Sequence, residues 1–96
     1  MAANKIESYM GFAIRKGSAL FGVDNVIESR KKPKLILFDV KLSERSQNRL
    51  RRYAETNGIA SNEYPLSDAL PGKNCLALGV TDESLAKAII SVIKEI

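Results

Sequence analysis

A chain of 96 residues with 45 % apolar content fits one domain around one hydrophobic core. It has no histidine and a single cysteine, Cys75, which excludes the commonest general base, an internal disulfide and any zinc or iron–sulfur ligand spacing. The net charge of +4 is unevenly carried: residues 1–58 hold twelve Lys/Arg against six Asp/Glu, residues 59–96 three against five, and a basic first half suits a polyanionic partner.

In chain order, Ile6, Tyr9, Met10 and Ala13 recur at steps of three and four, which predicts an amphipathic helix from Asn4 to Lys16 that stops at Gly17. Ser18 to Phe21 is short and apolar and reads as a brief strand. Gly22 turns the chain into a second helix with Val23, Val26 and Ile27 inward, and Ser29-Arg30-Lys31-Lys32-Pro33 ends it in a charged loop. Lys34 to Asp39 is the clearest strand, its near-continuous apolar run implying burial on both faces.

A third helix runs from Ser43, an N-cap, to Asn57, with Gly58 as its stop and Leu50, Tyr53 and Ala54 inward. Its outward Arg45, Arg49, Arg51 and Arg52 form a solvated face with Glu44 and Glu55 as partners. Ile59 to Tyr64 is a weak strand near an edge, and Pro65 to Leu70 a short helix ended by Pro71-Gly72. Leu76 to Val80 is a second buried strand. Thr81 or Asp82 caps the last helix, whose apolar face is Leu85, Ala88, Ile89, Val92, Ile93 and Ile96. Strands alternating with helices predict a layered α/β/α sandwich on a mostly parallel or mixed sheet, a single domain over 1–96.

Cys75 lies in the run Cys75-Leu76-Ala77-Leu78, the setting of a buried, inert thiol. Met1 to Asn4 offers no apolar leader, and no apolar run approaches the roughly 18 residues of a membrane span. With a cysteine usage that suits a reducing compartment, the expected location is the cytoplasm, away from membranes. Asp39 follows a buried strand and is expected to cap a loop; the aromatic residues are expected in the core, with Phe12 slightly off the inward face of its helix.

The turn at Gly22 carries the most suggestive chemistry. A glycine entering a helix lets backbone approach a phosphate, and the free N–H groups of a first turn favour anions. Polar side chains there, Asp24 and Asn25, can reach the edges of splayed bases, which is where proteins read RNA sequence. Arg15, Lys16, Arg30, Lys31, Lys32 and Lys34 offer positive charge. Capping the negative ends of helices would demand the same residue types.

Gly11-Phe12-Ala13-Ile14-Arg15-Lys16-Gly17-Ser18, Phe21-Gly22-Val23-Asp24-Asn25 and Lys34-Leu35-Ile36-Leu37-Phe38-Asp39 are joined later by Ser67-Asp68-Ala69-Leu70-Pro71-Gly72-Lys73-Asn74 and Leu78-Gly79-Val80-Thr81-Asp82-Glu83-Ser84-Leu85-Ala86. In this order and spacing the chain, from Ile6 to Ile96, resembles the ribosomal protein L-seven-Ae / L-thirty-e superfamily, nearest its small bacterial YlxQ-like members.

The resemblance implies a three-layer α/β/α fold with a four-stranded mixed sheet. The lack of histidine and the lone cysteine argue against an enzyme, which would have to work through carboxylates or lysine, and no cofactor is expected. The resemblance also implies a monomer that binds structured, kink-turn-like RNA, with the ribosome and ribosomal proteins as partners. Family binders use a G-x-N-E-x-x-K motif at the junction of the first strand and second helix. Here that motif falls on Gly22, Val23, Asp24, Asn25 and Glu28, with Asp24 at the asparagine, Asn25 at the glutamate and Glu28 at the lysine. A second family loop falls on Pro71-Gly72-Lys73-Asn74, so Lys73 and Asn74 join the candidate RNA contacts. Weaker kink-turn binding, a different RNA, or a retained fold serving a protein partner all fit these substitutions.

Overall fold

The structure, a computed structural model, describes residues 2–69 and 75–95. Its elements run α1 (Ala2–Lys16), β1 (Ala19–Phe21), α2 (Val23–Glu28), β2 (Leu35–Phe38), α3 (Glu44–Asn57), β3 (Ala60–Glu63), α4 (Leu66–Ala69), β4 (Ala77–Val80) and α5 (Glu83–Glu95). The strands form one sheet in the order β1-β4-β2-β3. β4 pairs antiparallel with both β1 and β2, while β2 and β3 are parallel, so the sheet is mixed.

The two long apolar runs take the centre because every residue of β2 and of β4 is buried. Successive strand residues point to opposite faces, and the core divides accordingly. Leu35, Leu37, Leu78 and Val80 pack with Ile6, Met10 and Ala13 of α1 and Ala86, Ile89 and Val92 of α5. Ile36, Phe38 and Ala77 pack with Val26 of α2 and Leu50 and Ala54 of α3. The result is the three-layer α/β/α sandwich expected from the sequence.

Helix ends follow their local chemistry. Ser43 Oγ accepts the N–H of Ser46 at the start of α3, and Gly58 closes that helix in the left-handed conformation. Of the two candidate caps for α5, Asp82 is the one used: its Oδ1 accepts the N–H of Leu85 at 2.9 Å. Thr81 is instead buried, with its hydroxyl donating to the carbonyl of Ser18. The inward stripe of α5 differs slightly from the sequence reading: Ala86 is fully buried, whereas Ala88 is only half-buried. The C-terminal end of the expected Pro65–Leu70 helix, the following Pro71-Gly72 and Ile96 fall outside the described residues. Among the described residues no helix is long and apolar enough to cross a membrane.

One buried glycine sets how closely α2 approaches the sheet. A Cβ at Gly79 would lie 3.2 Å from both Pro33 Cβ and Val26 Cγ2, closer than carbon contacts tolerate without a shift. Gly79→Ala is therefore expected to destabilise the fold by about 1 kcal/mol, overpacking outweighing the gain from a stiffer unfolded chain. A lowered midpoint of urea unfolding would show it.

Candidate functional site

The strand register defines two ends of the sheet. At one end Gly22 N–H donates to the Ala77 carbonyl, and Asp39 N–H donates to the Leu76 carbonyl. At the other, Lys34 N–H donates to the Val80 carbonyl and Thr81 N–H to the Ser18 carbonyl. A three-residue strand separates these ends by about 10 Å.

Gly22 stands at the first end with φ 91° and ψ 152°, a region essentially reserved for glycine. A Cβ built there meets nothing among the described residues within 4 Å, so the requirement comes from backbone conformation. Beyond it the first turn of α2 exposes Asp24 and Asn25, while Val23 is half-buried. The Asn25 amide donates back to the Phe21 carbonyl at 2.7 Å and braces the strand–helix junction. Asp24 Oδ1 lies 3.2 Å from a guanidinium nitrogen of Arg49 on α3. Glu28, exposed at the end of α2, shares a cleft of about 380 Å³ with Asn25 and Ser29 along β1.

The rim at this end also includes the β2–α3 loop. Asp39 is buried, and its carboxylate accepts the N–H groups of Lys41 and Ser67, both at 2.9 Å. The hydrogen bond from Ser67 N–H is the largest influence that holds its carboxyl below the ordinary range, and it outweighs burial. It is the loop cap expected from the sequence, and it sets Val40, 64 % exposed, on the surface beside it. Cys75 enters β4 nearby, its buried thiol donating to the Ala77 carbonyl and pushed up in pKa by burial. Lys73 and Asn74 lie outside the described residues.

The basic candidates do not gather at Gly22. Arg15, Lys16, Lys34 and the 29–34 loop that holds Lys31 and Lys32 belong to the opposite end, where α1 and α2 finish. Lys16 makes an ion pair with Asp82 at the start of α5 and holds that carboxyl below its ordinary range. Arg15 stacks over the ring of Phe12 at 5.0 Å, leaving Phe12 50 % exposed, as its position off the helix's inward face suggested. Lys31, Lys32 and Lys34 are exposed.

Positive charge close to Gly22 comes instead from α3. The partners expected for its arginines, Glu44 and Glu55, give way to residues of other elements: Arg49 pairs with Asp24 and Arg51 with Glu63. Arg51 also lies over the ring of Phe38 at 5.1 Å. Among the described residues no cluster of three or more His, Cys, Asp or Glu side chains could hold a metal ion.

No family model and no curated protein matches this chain. Among solved structures it is similar to a protein of unknown function from Bacillus halodurans C, at a TM-score of 0.85 and 18 % identity over 94 % of this chain and 97 % of that one. Likeness at that identity speaks for the fold alone.

Proposed function

We propose that this protein is a non-enzymatic, cytoplasmic RNA-binding protein that meets structured RNA at the Gly22 end of its sheet. The conformation of Gly22 is the observation that carries this reading: a glycine-only backbone state at the mouth of a helix, with space in front of it among the described residues. Such a turn admits a phosphate or a splayed base to within contact of the backbone. Two further features support it. The sandwich is the fold that the resemblance to the ribosomal L-seven-Ae / L-thirty-e superfamily implies, and Gly22 stands where that family reads kink-turns. Arg49 of α3 reaches this end through Asp24, and with Arg45 and Arg52 it lines the groove that runs from here beside α2.

The side chains adjust the expected partner. Exposed Glu28 repels phosphate where the family motif places lysine, and Asn25 is occupied by its bond to Phe21. An RNA that differs from an ordinary kink-turn, bound in a ribosomal or other ribonucleoprotein setting, suits this surface. The second reading is a protein–protein module that keeps the fold. It is favoured by the acidic pair Asp24 and Glu28, one helical turn apart on the exposed side of α2.

Titration against a kink-turn, a plain stem-loop and ribosomal RNA at two salt concentrations tests the proposal. Binding to at least one, weakening with salt, is expected; no binding to any at low salt would leave the protein-partner reading in its place. Glu28→Lys is expected to tighten kink-turn binding about tenfold, by replacing a repulsion with an attraction.

A further inference from the structure

α2 and α3 both begin at the Gly22 end of the sheet, and between them runs a groove of about 740 Å³. The helical repeat decides what borders it. Arg45, Arg49 and Arg52 follow one another at steps of four and three, so they share one stripe over about 10 Å of helix axis. All three are exposed. Ile27 of α2 and Tyr53 of α3, both half-buried, supply apolar surface between the helices. Glu44 is the acidic residue lining the groove. Among the described residues Arg45 and Arg52 make no ion pair, and the Arg49–Asp24 pair is exposed on both sides, at 50 % and 73 %. Water and salt screen such a pair, so an incoming anion displaces Asp24 readily.

We infer that this groove holds a single-stranded stretch of RNA, running on from the RNA at Gly22; the inference deepens the RNA reading and rests on it. A file of guanidiniums beside apolar and aromatic surface is the arrangement that follows a flexible sugar–phosphate backbone and receives unstacked bases. Charge complementarity selects a polyanion, and the half-buried Ile27 and Tyr53 offer unstacked bases the apolar contact that a paired duplex could not use. Arg49 joins the groove to the Gly22 turn through Asp24, so the two surfaces are continuous. Asp24 then has a task of its own: it occupies Arg49 until a phosphate takes its place.

The test measures binding of an oligouridylate of about 12 nucleotides, and separately of a kink-turn hairpin without single-stranded tails, at low and moderate salt. The Arg45→Gln/Arg52→Gln protein is expected to bind the oligouridylate about tenfold more weakly, with its log–log salt slope reduced by about 1.4. Arg45→Lys/Arg52→Lys should restore most of that slope, and Asp24→Asn should tighten oligouridylate binding by removing the competing carboxylate. Circular dichroism confirms that these surface variants fold. Unchanged oligouridylate affinity in the glutamine variant, or no oligouridylate binding by a protein that binds the hairpin, would overturn the groove assignment while the Gly22 reading stands. Oligouridylate bound through the arginines with the hairpin unbound would do the reverse. Polyglutamate captured in place of oligouridylate would assign the groove to an acidic protein segment and overturn the inference.

Discussion

Asp39→Ala is expected to lower the stability of the fold by about 2–4 kcal/mol, because it removes two part-buried hydrogen bonds to a charged acceptor at once. The carboxylate is 1 % exposed, and each of its oxygens accepts one N–H: Oδ1 from Lys41 and Oδ2 from Ser67. Lys41 Nζ also donates to Ser67 Oγ at 3.1 Å, so the loop after β2 and the short α4 are tied to a single side chain. Asp39→Asn keeps one acceptor and turns an amide N–H2 toward the other donor, so an intermediate loss is expected. Urea unfolding of the three proteins gives the order.

The acid limb of the wild-type stability curve carries the same signature. The folded carboxyl titrates below its ordinary value of 3.8. Its contribution is therefore complete above that value and is lost as pH falls through the lower folded one. Asp39→Asn should flatten that limb; an unchanged slope would show that Asp82, also held low by Lys16, accounts for it.

Gly22→Val is the second large effect, expected on binding as well as on folding. At φ 91° and ψ 152° a β-branched residue is strained by about 1–3 kcal/mol whatever the space around it. A Cβ there meets no atom of the described residues within 4 Å beyond its chain neighbours. It would stand instead where the proposed RNA site needs the backbone bare. RNA affinity is expected to fall by more than tenfold, at temperatures where circular dichroism shows the variant folded. Gly22→Ala should lie between. A folded Gly22→Val protein with undiminished RNA affinity would move the working edge away from this turn.

Much of the frame could be read from residue order. Leu35–Phe38 and Ala77–Val80 announce central strands because an unbroken apolar run has to be covered on both faces. Ser43 and Gly58 marked the limits of α3 through capping chemistry that is local by nature. β3 was weaker, since all of its residues are exposed and only its pairing with β2 identifies it. What escaped was set by topology. Arg15, Lys16 and Lys34 sit near Gly22 along the chain, yet strand direction carries them to the opposite end of the sheet. Glu44 and Glu55 share α3 with the arginines and are its nearest acidic residues along the chain, whereas Asp24 and Glu63 reach it from other elements. The groove beside α2 was equally hidden, because a stripe of arginines looks like any solvated helix face until a second helix lies along it.

β3, described above only as a weak strand, has a consequence for colloidal behaviour. A sheet that ends in an unpaired strand exposes a row of backbone donors and acceptors on which a neighbouring chain can accrete. This sheet ends on Ala60-Ser61-Asn62-Glu63 at one side, every residue of it in water, and on a strand of three residues at the other. Polar side chains and a carboxylate blunt the first edge, and brevity blunts the second. The molecule is thereby guarded against growth of its own sheet from one copy to the next.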